Sequence, residues 1–278
     1  MANKIDIDAL WDFNDPAGSE IRFRLLEAEA QTQRARTHSW RRQFVEAHAI
    51  LDLAKQLATP ENARLRVRYL LERGRTHNSA KEKDLARPLF LEAWELARSA
   101  GEDGLAVDAA HMLGVMESGP ESDRWNEEAL ALAENSANPK ARKWVATLCN
   151  NLGWSRHGEG KFPEALALFE RAQFARKEGG EVGRERVARW CVARCLRSLS
   201  RLDEALEIQE ALHAEHTAAG TPDGYVWEEL SECLLALNRT EEARSHFARA
   251  YEMLSADPFL PTDEPERLAR LKTLGAGG

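Results

Sequence analysis

Trp190, Arg194 and Arg197 fall at i, i+4 and i+7 of the stretch "ERVARWCVARCLR", so a helix there presents all three on one face. A guanidinium makes forked hydrogen bonds to carboxylate or phosphate that a lysine cannot copy, and an indole offers large contact area at low entropic cost. The same spacing groups Asn150, Trp154 and His157 in "VATLCNNLGWSRH", and Asp108 with His111 in the neighbourhood of "VDAAHMLGVMES". It also groups Arg68, Arg75 and Asn78 around "RVRYLLERGRTH", while Arg36 sits in "EAQTQRARTHSW" and Tyr225 opens "GYVWEELSECLLAL". Asn150 can donate and accept together, which suits the backbone of a bound peptide. Asp108, His111 and His157 could serve as acid–base groups, yet no activated nucleophile, GxGxxG, Walker glycine run or GxSxG accompanies them. Binding, not catalysis, is the chemistry expected, and no cofactor is implied.

Metal ligation is not expected either. Cys191 and Cys195 are four apart, with Cys149 and Cys233 in neighbouring helical stretches, whereas zinc sites use short-spaced pairs converging on one loop. Buried small hydrophobes are the better reading. His213 and His216, in "HAEH", lack a matching ligand pair. A net charge of −8 argues against nucleic acid as a partner. No apolar run approaches a membrane span, and "MANKIDIDALWDFNDPAGSE" has neither a basic start nor an apolar core, so no membrane association and no secretory signal are expected. With four unpatterned cysteines, the reading is a cytoplasmic protein of reduced thiols. At 278 residues, 43% hydrophobic and 30% charged, the chain can bury a substantial core.

The elements that must position these residues follow from a repeated pattern. A small residue, a large apolar one a turn later and a second small residue recur as Ala47-Leu51-Ala54, Ala86-Phe90-Ala93, Ala165-Phe169-Ala172 and Ala243-Phe247-Ala250. Weaker copies start at Ala129 and at Ala205, the latter with Gln209 and Leu212. The lead alanines are separated by 39, 43, 36, 40 and 38 residues, and another helical stretch precedes each. Alanine or glycine where two helices cross lets the backbones approach, and the Phe or Leu fills the space beside the contact. Breakers such as "HGEGKFP" and "LSRLD" divide the helices of a pair, and "SANPK" and "AAGTPDG" divide the pairs. Helical hairpins at a near-constant period mark a solenoid.

This pattern resembles the tetratricopeptide repeat family, most closely over residues 146–179 with Leu152, Gly153, Ala165, Phe169 and Ala172. The resemblance covers roughly residues 20–258. The third unit carries about three extra residues at "ESGPESDRW", and most units exceed the family's usual 34 residues. It implies an all-α, right-handed α-solenoid of about six hairpins, in units of about 20–60, 61–100, 101–139, 140–180, 181–220 and 221–258. Residues 1–19 form an N-terminal extension, with Trp11 and Phe13 expected across the first hairpin. Residues 259–278 form a capping helix and tail, with Thr262 or Asp263 as its N-cap and Leu268, Leu271 and Leu274 as its apolar face.

In the family the first helix of each pair lines the concave surface. Arg36, Arg68, Arg75, Asn78, Asp108, His111, Asn150, Trp154, His157, Trp190, Arg194, Arg197 and Tyr225 are therefore implied to line a groove, with five arginines and no lysine. Relatives that grip acidic chaperone tails use Arg, Lys and Asn on these faces; here the comparable residues are Arg75, Asn150, Arg194 and Arg197. Trp154 and Trp190 either line the groove or pack between helices. Glu228 and Glu232 read as a solvated acidic face, or else as partners of Arg194 and Arg197. The functional reading is an adaptor or scaffold that holds a protein or an extended peptide, including one with an acidic or C-terminal carboxylate group. The alternative is a small-molecule or signal-peptide sensor that passes its output to another protein. The oligomeric state stays open. Replacing Arg194 and Arg197 by Ala is expected to weaken ligand capture and to leave the melting temperature nearly unchanged.

Overall fold

The computed structural model describes residues 6–276; Met1–Ile5 of the predicted extension and the last two residues of the tail lie outside the described residues. The helices are α1 (Pro16–Trp40), α2 (Phe44–Lys55), α3 (Ala63–Ser79), α4 (Lys83–Ser99), α5 (Asp103–Met116), α6 (Gly119–Asn135) and α7 (Pro139–Arg142). They continue as α8 (Val145–Gly158), α9 (Phe162–Glu178), α10 (Val182–Ser198), α11 (Leu202–Ala218), α12 (Gly224–Ala236), α13 (Thr240–Leu254), α14 (Leu260–Asp263) and α15 (Pro265–Ala276). No strand occurs among the described residues. The chain forms two compact units, Met1–Leu148 and Cys149–Gly278. Each is an all-α stack of antiparallel hairpins: α1–α2, α3–α4 and α5–α6 in the first, α10–α11 and α12–α13 in the second, where α9 also lies along α10.

Close approach holds each hairpin together. A Cβ placed on Gly74 would lie 2.6 Å from the Phe90 ring, and one on Gly153 would lie 2.6 Å from Phe169, so the ring occupies the volume that any larger residue needs. Phe90, Phe169 and Phe247 are fully buried as a result. In the first hairpin Ala35 and Leu51 share the equivalent contact, both buried. The third hairpin departs from the pattern at its insertion: Glu117 and Ser118 are extended, and Gly119 adopts a left-handed φ of 58°. There Asn126, not a phenyl ring, comes to the Gly114 backbone, and the Ser122 hydroxyl donates to the Gly114 carbonyl at 2.6 Å.

The turns repeat one hydrogen-bonding device. The amide of the residue that ends each turn reaches back five residues, as in Gln43 to His38, Glu82 to His77, Glu181 to Arg176 and Arg201 to Leu196, at 2.9–3.0 Å. The residue before that amide must take a positive φ. Glycine does so at Gly101, Gly160, Gly180 and Gly220, and in the turns of other hairpins Arg42, Lys81, Ser200 and Asn238 accept it. Each non-glycine residue held there costs on the order of 1 kcal/mol.

The ends of the array differ in detail from the expectation. Helix α1 starts at Pro16, with the Asp15 carboxylate accepting from the Gly18 amide, and runs 25 residues. Trp11 meets Phe23 of α1 edge-on at 5.6 Å and stacks on Phe13, which stays 89% exposed, so the aromatics lie along α1 and do not bridge the hairpin. At the other end neither Thr262 nor Asp263 caps the final helix. Both lie in α14, whose start is held by Asp257 accepting from the Phe259 and Leu260 amides at 2.8 and 2.9 Å; the chain then restarts at Pro265. Leu268 and Leu271 are buried, Leu274 packs on the same core, and α15 lies along α13 as a cap.

Gln209 breaks the packing rule. It is fully buried where the other hairpins place Leu or Phe, and neither its amide nitrogen nor its carbonyl oxygen has a hydrogen-bond partner. Gln209→Leu restores a pair like Ala35–Leu51, since Ala193 takes the small position. Relieving the stranded amide stabilises by about 1–3 kcal/mol, so thermal unfolding should shift upward by several degrees.

Candidate functional site

Helix α10 carries Trp190, Arg194 and Arg197 along one face, as the 3.6-residue period requires. With Trp154 from α8, Glu228, Glu229 and Glu232 from α12, and Arg267 and Arg270 from α15, they line an open cleft of about 530 Å³ in the second unit. Trp154 packs on Phe169 at 5.0 Å and on Trp190 at 6.1 Å, so the two indoles make one aromatic wall. Trp190 Nε1 donates to the Tyr225 carbonyl at 3.1 Å, and the Arg267 guanidinium lies over the Tyr225 ring at 5.2 Å.

The charges of the cleft are paired, but not as the sequence suggested. Arg197 makes a forked bond to Glu229, Nε to Oε1 at 2.5 Å and Nη2 to Oε2 at 3.1 Å. Arg194 is engaged more loosely, 3.5 Å from Glu229 and 3.1 Å from the Ser198 hydroxyl, and its side chain is 30% exposed. Glu228 and Glu232 belong instead to the cap: Arg267 Nε donates to Glu228 Oε1 at 2.9 Å, and Arg270 pairs with Glu232. They are neither a solvated acidic face nor the partners of Arg194 and Arg197. Burial raises the Glu229 carboxyl above its ordinary range, with the two arginines opposing that rise.

His157 Nε2 pairs with the Ser198 hydroxyl at 2.9 Å, and Asn150 Oδ1 accepts from the Cys191 thiol at 3.5 Å, so both tie α8 to α10. The thiols are not nucleophiles. Burial pushes Cys191 and Cys233 up to about 12, and all four cysteines are buried and outside any disulfide.

In the first unit the predicted residues form a ladder of ions. Arg36 grips Glu72 with two bonds of 2.9 and 2.5 Å, Glu72 also accepts from Arg75 at 2.8 Å, and Arg75 pairs with Asp108. His111 stands beside this ladder with its ring 5.0 Å from Trp144. Arg68 is separate, 3.2 Å from Glu29, on a shallow and mainly apolar pocket with Leu26, Ala30 and Thr37. Asn78 is half-buried near the end of α3, its carbonyl accepting from the Lys81 amide. Sequence reasoning missed Glu72, Glu229, Arg267 and Arg270; the recurrence of an acid 32–39 residues from a basic residue was the available signal.

Comparison with solved structures places this architecture. The STAND protein of Pyrococcus horikoshii, a signal transduction ATPase with numerous domains and a tetratricopeptide repeat sensor, superposes with a TM-score of 0.70 at 13% identity over 89% of this chain. This is a tetratricopeptide-repeat-like fold. The chain spans 39% of the length of that STAND protein. NprR in complex with its cognate peptide NprX matches at TM-score 0.49 and 16% identity, covering 96% of this chain and 80% of its own. The TPR2AB domain of yeast Sti1 with pHSP90 matches at 0.37 and 13%, covering 90% and 97%. These two likenesses are too loose to argue from. No family model matches the sequence, and no curated protein does. Among the described residues of the repeat array, no helix is long and apolar enough to cross a membrane.

Two outcomes follow from these ion pairs and rings. Arg197→Ala leaves the Glu229 carboxylate, 4% exposed, with only the looser Arg194 contact and should destabilise by about 2–4 kcal/mol, so the double arginine variant is now expected to melt lower. Adding Glu229→Gln should recover part of that loss, and the single variant's deficit should shrink in acid, where Glu229 takes up a proton. The histidines act in the opposite sense. Burial first, and neighbouring cations or imidazoles second, hold His48, His157 and His213 below the usual value of about 6.5. Burial does the same to His111, where Arg75 adds to the effect and Asp108 opposes it. The folded state refuses protons that the unfolded chain accepts, so stability is full above about 6.5 and falls as the pH drops through that value. Thermal melts should show this decline, and His111→Gln should make it shallower.

Proposed function

We propose that the protein is a binding module, an adaptor or scaffold that holds an extended segment of a partner protein against the first-helix faces of its hairpins. The observation that carries this reading is the second-unit cleft, where four predicted residues (Trp154, Trp190, Arg194 and Arg197) share one wall-to-wall space of about 530 Å³. Four guanidiniums and three carboxylates line it, leaving one cation in excess. Arg194, the most loosely held, is the natural contact for a carboxylate of the ligand, and the indoles are the surface for its apolar side chains. In the first unit, Arg36 and Arg75 are committed to Glu72 and Asp108, so an acidic ligand there would have to displace an existing ion pair. The proposed role is one of binding, which the burial of the thiols supports.

A second reading, a sensor for a small molecule or signal peptide, is supported by the cleft's size, which falls within the range of small-ligand pockets. The repeat array of the superposed STAND protein is itself described as a sensor.

Arg194→Ala separates the ligand contact from the structural pair made by Arg197. Captured on immobilised protein from a library of acidic and C-terminally carboxylated peptides, ligands should bind the variant roughly ten-fold more weakly, the loss of one charge-assisted hydrogen bond. Its melting temperature should change little. Equal capture by the variant and the wild type would remove Arg194 from the site, and selective response to metabolites over peptides would favour the sensor.

A further inference from the structure

We propose that His48, His77 and Glu82 form a site for a divalent d-block cation of the zinc type. His48 lies on α2, His77 in the last turn of α3, and Glu82 immediately before α4. One ligand atom from each lies within 4.8 Å of the others. The imidazoles face each other with centroids 4.5 Å apart and planes tilted by 41°, and His77 Nδ1 is 2.7 Å from Glu82 Oε2. The site lies wholly in the first unit and shares no residue with the cleft of the second.

The backbone has already placed two of the three ligands. The Glu82 amide donates to the His77 carbonyl at 2.9 Å across the turn that Lys81 closes at a φ of 66°, so both side chains leave a rigid turn on the same side. Ligand atoms around tetrahedral zinc stand roughly 3.3 Å apart, given bonds of about 2.1 Å. Binding therefore requires the spread of up to 4.8 Å to close toward that distance and the 2.7 Å His77–Glu82 contact to open to it. Two imidazoles and a carboxylate favour zinc, cobalt, nickel or copper over magnesium or calcium, and leave a fourth position for water.

The remaining neighbours set the terms of binding. Arg73 Nη1 lies 2.7 Å from His48 Nδ1 and, since a guanidinium only donates, that nitrogen is the acceptor. Arg73 also pairs with Asp52, one turn along α2 from His48. The two carboxylates, Asp52 and Glu82, outweigh the single guanidinium, so the cluster carries a net negative charge with neutral imidazoles. Arg73 and the cation therefore compete for His48: on metal binding, Arg73 gives up the imidazole and keeps Asp52. The bound ion joins α2 to the α3–α4 turn.

The test is titration of the chelator-treated full chain with Zn²⁺ by calorimetry and with Co²⁺ by visible absorption, with thermal melts in parallel. Expected are saturable one-to-one binding, a cobalt spectrum with imidazole ligation, and a zinc-dependent rise in melting temperature. His48→Gln and His77→Gln should each weaken affinity at least ten-fold and abolish the thermal shift, and Glu82→Gln should weaken it without disturbing the fold. Arg73→Gln should bind several-fold more tightly, because the competitor is gone, whereas His213→Gln should bind like the wild type. Absence of saturable uptake, or uptake unchanged in both His48→Gln and His77→Gln, overturns the proposal and assigns any bound metal to other surface histidines.

Discussion

Within most of the hairpins, one contact decides how near two helix axes can come: a residue with little or no side chain on the first helix against a large apolar side chain on the second. Gly74 with Phe90 and Gly153 with Phe169 are its tightest forms, because the ring fills the place where a Cβ would stand. Ala35 with Leu51, and Ser231 with Phe247, preserve the same sixteen-residue offset with slightly larger partners. Close-packed interiors tolerate little change in volume, so this contact fixes the depth at which every other side chain of the hairpin sits. It thereby determines which residues of the first helix face the neighbouring layer and which remain for solvent or ligand.

Charge organises the next level. First helices of consecutive hairpins are joined by arginine–carboxylate pairs, as in Arg36–Glu72, Arg75–Asp108 and Arg197–Glu229, and the cap is fastened by Arg267–Glu228 and Arg270–Glu232. Several of the carboxylates are deeply buried, and a buried ion owes its tolerance to its partner. Residues proposed as ligand contacts thus carry a structural duty as well, and it is unequally shared: Arg197 makes the tight bond to Glu229, whereas Arg194 is held more loosely.

The fold was readable because its determinant is local and repeated. A small residue, a turn and an aromatic at fixed offsets leave a period in the chain, and the α-hairpins follow it closely. The grouping of Trp154, Trp190, Arg194 and Arg197 was readable for the same reason, since helical spacing alone aligns three of them on α10. What escaped was pairing between helices. Nothing within "WEELSE" distinguishes Glu229, which turns into the layer contact, from Glu228 and Glu232, which meet the final helix; that depends on the rotation of α12 about its axis. The His48–His77 encounter was hidden likewise, because it joins residues of different hairpins. The cap of α15 was misplaced because Asp257 starts a short helix that takes in Thr262 and Asp263, the residues that look like caps.

The ion ladder also limits how such an array can be rearranged. Hairpins that interlock only through apolar surfaces can be shuffled, duplicated or deleted, since one greasy face is much like another. Here Glu72 must sit between the basic residues Arg36 and Arg75, and Glu229 must follow the hairpin that supplies Arg197. Excising the second hairpin would remove both Glu72 and Arg75, the present partners of Arg36 and Asp108. The order of the modules is therefore written in alternating sign, and the chain evolves as a sentence more than as a string of beads.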